Sequence, residues 1–114
     1  MDADGVPHLV PVTFAVRADT VVIAVDSKPK STRDLKRLRN IEANPSVCLL
    51  ADEYTEDWSR LWWVRADGTA VVRSDDLAEP IAWLTGKYRQ YLDSPPDGPV
   101  IEIAVHNWTG WSAS

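Results

Sequence analysis

Short apolar runs separated by turn residues dominate the chain, a pattern of strands rather than of long helices. Val6 to Val16 mixes Val, Leu, Thr and Phe with Pro7 and Pro11. Proline cannot donate to a ladder, so the stretch predicts an edge or bulged strand. A turn at Ala18-Asp19 leads into Thr20 to Val25, a β-branched run short enough for a buried strand. The period then changes. Leu35, Leu38 and Ile41 fall three apart, Ser31 or Thr32 can cap, and Asn44-Pro45 stops the run, which predicts a helix of about three turns. Ser46 to Asp52 reads as a third strand and Asp52 to Asp57 as an exposed acidic loop. Trp58 to Ala66 and Thr69 to Arg73 flank Asp67-Gly68, a dipeptide whose backbone preference predicts a tight hairpin. Asp75 or Asp76 can cap a second helix to about Leu92, followed by the rigid loop Ser94 to Pro99. A last strand, Val100 to about Trp108, alternates Ile101, Ile103 and Val105 against Glu102, Ala104 and His106.

Five or six strands with two helical insertions predict a mainly β fold, a small antiparallel barrel occupying residues 1–114 as one domain. A chain of 114 residues can bury one core, and an oligomer can supply part of the burial. No apolar run reaches the roughly 20 residues of a membrane span, and the first residues lack a signal-peptide pattern, so a cytoplasmic location is expected. Cys48, the single cysteine, excludes an internal disulfide and reads as a small buried hydrophobe.

Charge sharpens the picture. The formal net charge is -5, yet six of the twelve Lys and Arg residues lie between Lys28 and Arg39, with Asp34 the one acid among them. A local basic site in an acidic body points to a bound anion, since general nucleic-acid affinity calls for a broader positive face. The segment follows a buried strand and enters a helix, so backbone N–H groups and the helix dipole can add to the side-chain charge in a phosphate site. The alternative is a solvated helix face paired with Asp52, Glu53, Glu56 and Asp57. His8 and His106 are isolated and lack metal-ligand spacing, and no serine stands in a nucleophile elbow. Of the six tryptophans, Trp62 and Trp63 point to opposite strand faces, so at most one faces the core. Trp83, Trp108 and Trp111 read as core or subunit contacts. Such a chain suits chemistry carried by a cofactor, where the protein positions and tunes.

The succession Gly5 to Phe14, Thr20 to Val25, Lys36-Arg37-Leu38-Arg39-Asn40-Ile41, Asn44-Pro45 and Trp63 to Ala70 resembles the pyridoxamine 5'-phosphate oxidase-like split-barrel superfamily. Within it the chain is most similar to the actinobacterial deazaflavin-dependent, or F420-dependent, oxidoreductases, from about Asp4 to Trp111. The resemblance implies a six-stranded split β-barrel, a homodimer, and coenzyme F420 or FMN in a groove between subunits. It also points to hydride transfer to an unsaturated or quinone-like small molecule; the lack of an acid-base cluster leaves cofactor sequestration without turnover as the alternative. Arg37 matches the family's phosphate-binding basic residue, with Lys36, Lys30 and Lys28 as helpers. Pro11, Val12 and Thr13 resemble the strand whose backbone faces the reactive ring, Ser27 and Asn40 its hydrogen-bonding neighbours, and Trp58-Ser59 an aromatic-polar pair near the cofactor. Relatives usually carry a helix and a strand before the turn seen here at Asp2 to Gly5, so one barrel strand is expected to be missing.

Overall fold

The computed structural model describes residues 1–25, 32–96 and 98–113, with the backbone alone for 32–35. Its strands are β1 (Phe14–Arg17), β2 (Thr20–Ala24), β3 (Ser46–Glu53), β4 (Trp62–Arg73) and β5 (Val100–Ser112), and its α-helices are α1 (Thr32–Ala43), α2 (Ala78–Lys87) and α3 (Gln90–Asp93). The strands form one antiparallel sheet in the order β1-β2-β5-β4-β3, so the two longest strands lie beside each other near its centre.

Alternation along the strands sorts the side chains onto two cores. On one face Val21, Ile23, Ala66, Ala70, Ile101, Ile103 and Val105 pack together, joined by Val47 and Leu49 and roofed by Leu38 and Ile41 of α1. On the other, Ala15, Val22 and Val100 meet Leu84 of α2. Leu38 and Ile41 thus share the helix face that their spacing predicts. The β5 alternation of Ile101, Ile103 and Val105 also holds.

Four expectations need correction. The first strand does not begin at Val6: only Phe14 to Arg17 enters a ladder, after Pro7 and Pro11, which lack the N–H a ladder needs. Asp67-Gly68 is not a hairpin. Both residues lie inside β4, with β3 pairing along one side and β5 along the other, and the register shift between them leaves His106 as the extra residue of a β5 bulge. A Cβ on Gly68 would stand 2.4 Å from the Ala104 carbonyl oxygen and 2.8 Å from Ile103 Cγ2, so glycine here serves close strand approach. Trp58 starts no strand, because Asp57 caps the short 3₁₀ turn Trp58–Arg60 with its carboxylate on the Ser59 N–H. The second helix breaks at Tyr88, whose backbone turns to an extended conformation before α3 begins.

The expected Ala18-Asp19 turn joins β1 to β2, and Ala18 adopts a left-handed φ of 50°. The turn is tied down by Asp19, whose carbonyl accepts from the Val105 N–H at 2.8 Å and whose carboxylate accepts from Trp108 Nε1 at 2.9 Å. Because alanine is strained at this φ, Ala18→Gly is expected to stabilise the fold by about 0.5 kcal/mol, read as a raised urea midpoint at constant slope.

Candidate functional site

Helix α1 delivers the basic residues. With Leu38 and Ile41 seated on the core, Lys36 and Arg39 are exposed and Arg37 is half-buried. Asn40 is buried at 9% exposure and its Nδ2 lies 2.9 Å from His8 Nδ1. The amide N–H of Asn40 is the donor in this contact and Nδ1 the acceptor. Residues before His8 fold back toward the helix. The Asp2 carboxylate accepts from the Val6 and Asp4 N–H groups at 2.9 Å each. Its pKa is held below the ordinary value mainly by the Val6 bond, with a smaller attraction from Lys36.

The segment Pro11 to Thr13 approaches the same core from another direction. Val12 packs against the cluster that Leu38 and Ile41 roof, so this segment and α1 flank one region of the sheet. Thr13 Oγ1 lies 2.7 Å from Tyr91 Oη. The outward backbone of Phe14 is saturated by side chains from the helices. Tyr88 Oη accepts its N–H and donates to its carbonyl, each at 3.1 Å, while Lys87 Nζ donates to that carbonyl at 2.7 Å. The Lys87 ammonium also sits 3.7 Å from the Phe14 ring centroid, and the Tyr88 and Tyr91 rings meet edge to face at 5.7 Å. These three residues protect an edge strand that would otherwise offer open pairing groups. Sequence reasoning missed them. The available signal was Lys87-Tyr88-x-x-Tyr91 at the end of a helix, together with an edge strand in need of cover.

Of the remaining expected site residues, Trp58 is not brought to this region within one chain. Ser27, Lys28 and Lys30 lie outside the described residues. Trp58 is 72% exposed and stands beyond Glu53, whose β3 pairing partner is Trp62; the α1 end of the same pairing is Ser46 with Thr69. Seven strand steps of about 3.3 Å separate the two ends, roughly 23 Å. Ser59 is occupied by Asp57, its Oγ donating at 2.6 Å, and Glu53 pairs with Arg60 at 3.3 Å. Cys48 is exposed, not buried, because the alternation of β3 turns Val47 and Leu49 to the core. Partial desolvation, then a hydrogen bond to Asp67, pushes its thiol above the ordinary pKa. His106 is engaged by Thr69 Oγ1 at 2.7 Å. Among the described residues no three His, Cys, Asp or Glu side chains converge as a metal site. No helix of the described residues is long and apolar enough to cross a membrane.

A single antiparallel sheet with a core-roofing basic helix on one face and α2 packed on the other is the architecture of a split β-barrel, mainly β with short helices. The chain belongs to the pyridoxamine 5'-phosphate oxidase family, whose profile matches residues 1–112. Among solved structures it is similar to the conserved hypothetical protein Rv2991 from Mycobacterium tuberculosis, with a TM-score of 0.75 and 16% identity over 99% of this chain and 73% of that one. It is also similar to the FAD binding protein from Mycobacterium smegmatis, with a TM-score of 0.55 and 20% identity over 91% of this chain and 76% of that one. No curated protein matches the sequence.

Proposed function

We propose that the protein is an oxidoreductase that takes its hydride chemistry from a bound flavin or deazaflavin, coenzyme F420 being the first choice and FMN the alternative. The observation that carries this is the shared placement of Pro11 to Thr13 and α1, which meet over one core through Val12, Leu38 and Ile41. In this reading an elongated cofactor lies between them. Lys36 and Arg37 would hold its phosphate, and the backbone of Pro11 to Thr13 would support its ring. When bound, such a cofactor supplies hydride donation or acceptance at its ring. The protein's own work is then binding, orientation and exclusion of water. Both histidines fit that division of labour, since His8 is engaged by Asn40 and His106 by Thr69.

A homodimer belongs to the same proposal. The arm formed by β3, β4 and β5 exposes apolar residues on both of its faces, Trp62, Val64 and Trp108 on one and Leu50 and Trp111 on the other. A second copy would cover it and bring a Trp58-Ser59 turn toward a groove that one chain leaves open. A monomer in sedimentation equilibrium at micromolar concentration would contradict this part of the proposal.

The cofactor is tested by spectral titration with F420, FMN and FAD side by side, FAD being included because the Mycobacterium smegmatis neighbour is named as an FAD binding protein. Arg37→Ala is expected to weaken the preferred cofactor by about ten- to a hundredfold, the equivalent of about 1.5 to 3 kcal/mol for a charged hydrogen bond. Equal affinity in wild type and variant removes Arg37 from the site. Tight binding without turnover across quinone-like acceptors would favour a cofactor-sequestering protein over an enzyme. An unsaturated or quinone-like small molecule is the substrate class proposed for the enzyme.

A further inference from the structure

A cavity open to solvent lies between β1 and α2, on the face of the sheet that α2 covers. It has a volume of about 310 Å³ and is lined by Ala15, Arg17, Ala82, Trp83, Gly86 and Lys87 among others. That volume is at the lower end of the range that holds a small organic ligand. We propose that this cavity binds a small aromatic carboxylate, independently of the cofactor groove.

Its electrostatics select an anion. Arg17 and Lys87 both line it, no acidic residue does, and among the described residues no carboxylate pairs with either cation. The Arg17 guanidinium lies 4.9 Å from the Trp83 ring centroid. A contact of this kind does not consume the guanidinium's N–H donors, which suit a carboxylate. Lys87 gives one N–H to the Phe14 carbonyl, and an ammonium carries three. Both cations are therefore fixed in place by contacts that leave donors to spare.

The remaining wall selects a flat apolar body. Ala15, Ala82 and Gly86 are small, and the Trp83 indole is the one large surface among them. Gly86 is the telling residue. It lies within α2, where glycine is disfavoured relative to alanine, and no steric need explains it. A Cβ added there would meet nothing within 4 Å, its φ is not left-handed, and the helix ends at Tyr88 without using it as a cap. What glycine contributes at this position is the space it leaves in the cavity wall.

Isothermal titration calorimetry of the full chain with benzoate, phenylacetate and indole-3-acetate tests the site, with benzamide as the uncharged counterpart of benzoate. At least one acid is expected to bind saturably. If benzoate binds, benzamide should bind at least about tenfold more weakly, as expected for loss of one charge-assisted hydrogen bond. Arg17→Ala should weaken the acid by a similar factor. Gly86→Leu fills the wall and should abolish binding while the thermal unfolding transition is retained, since nothing opposes a side chain there. No saturable heat with any of the three acids overturns the site. So does equal binding of benzoate and benzamide, or undiminished affinity in folded Gly86→Leu. Because these probes and variants do not touch α1, loss of F420 or FMN binding by Arg37→Ala leaves the outcome unchanged.

Discussion

Replacing Gly68 by alanine is expected to destabilise the fold by about 2 to 3 kcal/mol, the scale of forced overpacking in a core. The added methyl would lie 2.4 Å from the Ala104 carbonyl oxygen and 2.8 Å from Ile103 Cγ2. Ile103 could adjust, but Ala104 is ladder-bound backbone in β5, paired with β2 through Thr20 and with β4 through Thr69. Relief would require the central strands to separate, and the loss would pass to both neighbours. Urea denaturation of wild type and variant measures it as a lower midpoint. A midpoint shift corresponding to under about 0.5 kcal/mol would mean that β4 and β5 do not approach here as closely as described.

Leu84→Ala is expected to cost more, about 3 to 5 kcal/mol. Leu84 is 0% exposed and meets Ala15, Val22 and Val100, residues too small or too fixed in the sheet to refill the space. For a domain of this size each kcal/mol moves Tm by roughly 4 to 8 °C, so the fall should exceed 12 °C. A structural loss should accompany it. Leu84 anchors the helix that ends in Lys87 and Tyr88, and these two residues hold the Phe14 backbone beside Pro11 to Thr13. Amide hydrogen exchange at Phe14 should therefore accelerate in the variant at temperatures where it remains folded, while exchange in the paired part of β3 and β4 changes little.

Much of this architecture is legible in the chain. β2, β3, α1 and the inner half of β5 follow from hydrophobic period, and Leu38 with Ile41 identifies the helix face that reaches the core. Asp67-Gly68 misleads because a residue pair describes local turn preference, whereas the requirement met by Gly68 comes from a strand some 35 positions later. Cys48 misleads because its neighbours Val47, Leu49 and Leu50 make a continuous apolar run, in which alternation is hidden. The site divides in the same way. As candidates, Arg37 and Lys36 are visible through charge and helix position, and Asn40 through the family resemblance alone. Lys87, Tyr88 and Tyr91 are not, since their role is set by an edge strand more than 70 residues earlier in the chain.

The bulge at His106 acts as a phase shifter. Ahead of it, Ile101, Ile103 and Val105 face the core; beyond it, Trp108 pairs with Ala66 on that same side and Trp111 with Trp63 on the other. If the same residues paired without the bulge, His106 would meet Asp67, Trp108 would meet Arg65 and Trp111 would meet Trp62, which exchanges the faces of the two tryptophans and breaks the Trp108 bond to Asp19. One position thus decides which surface carries which indole. The bulge therefore sets the pattern of the protein's outer surface, whereas deleting His106 would close it and keep each indole on its present face.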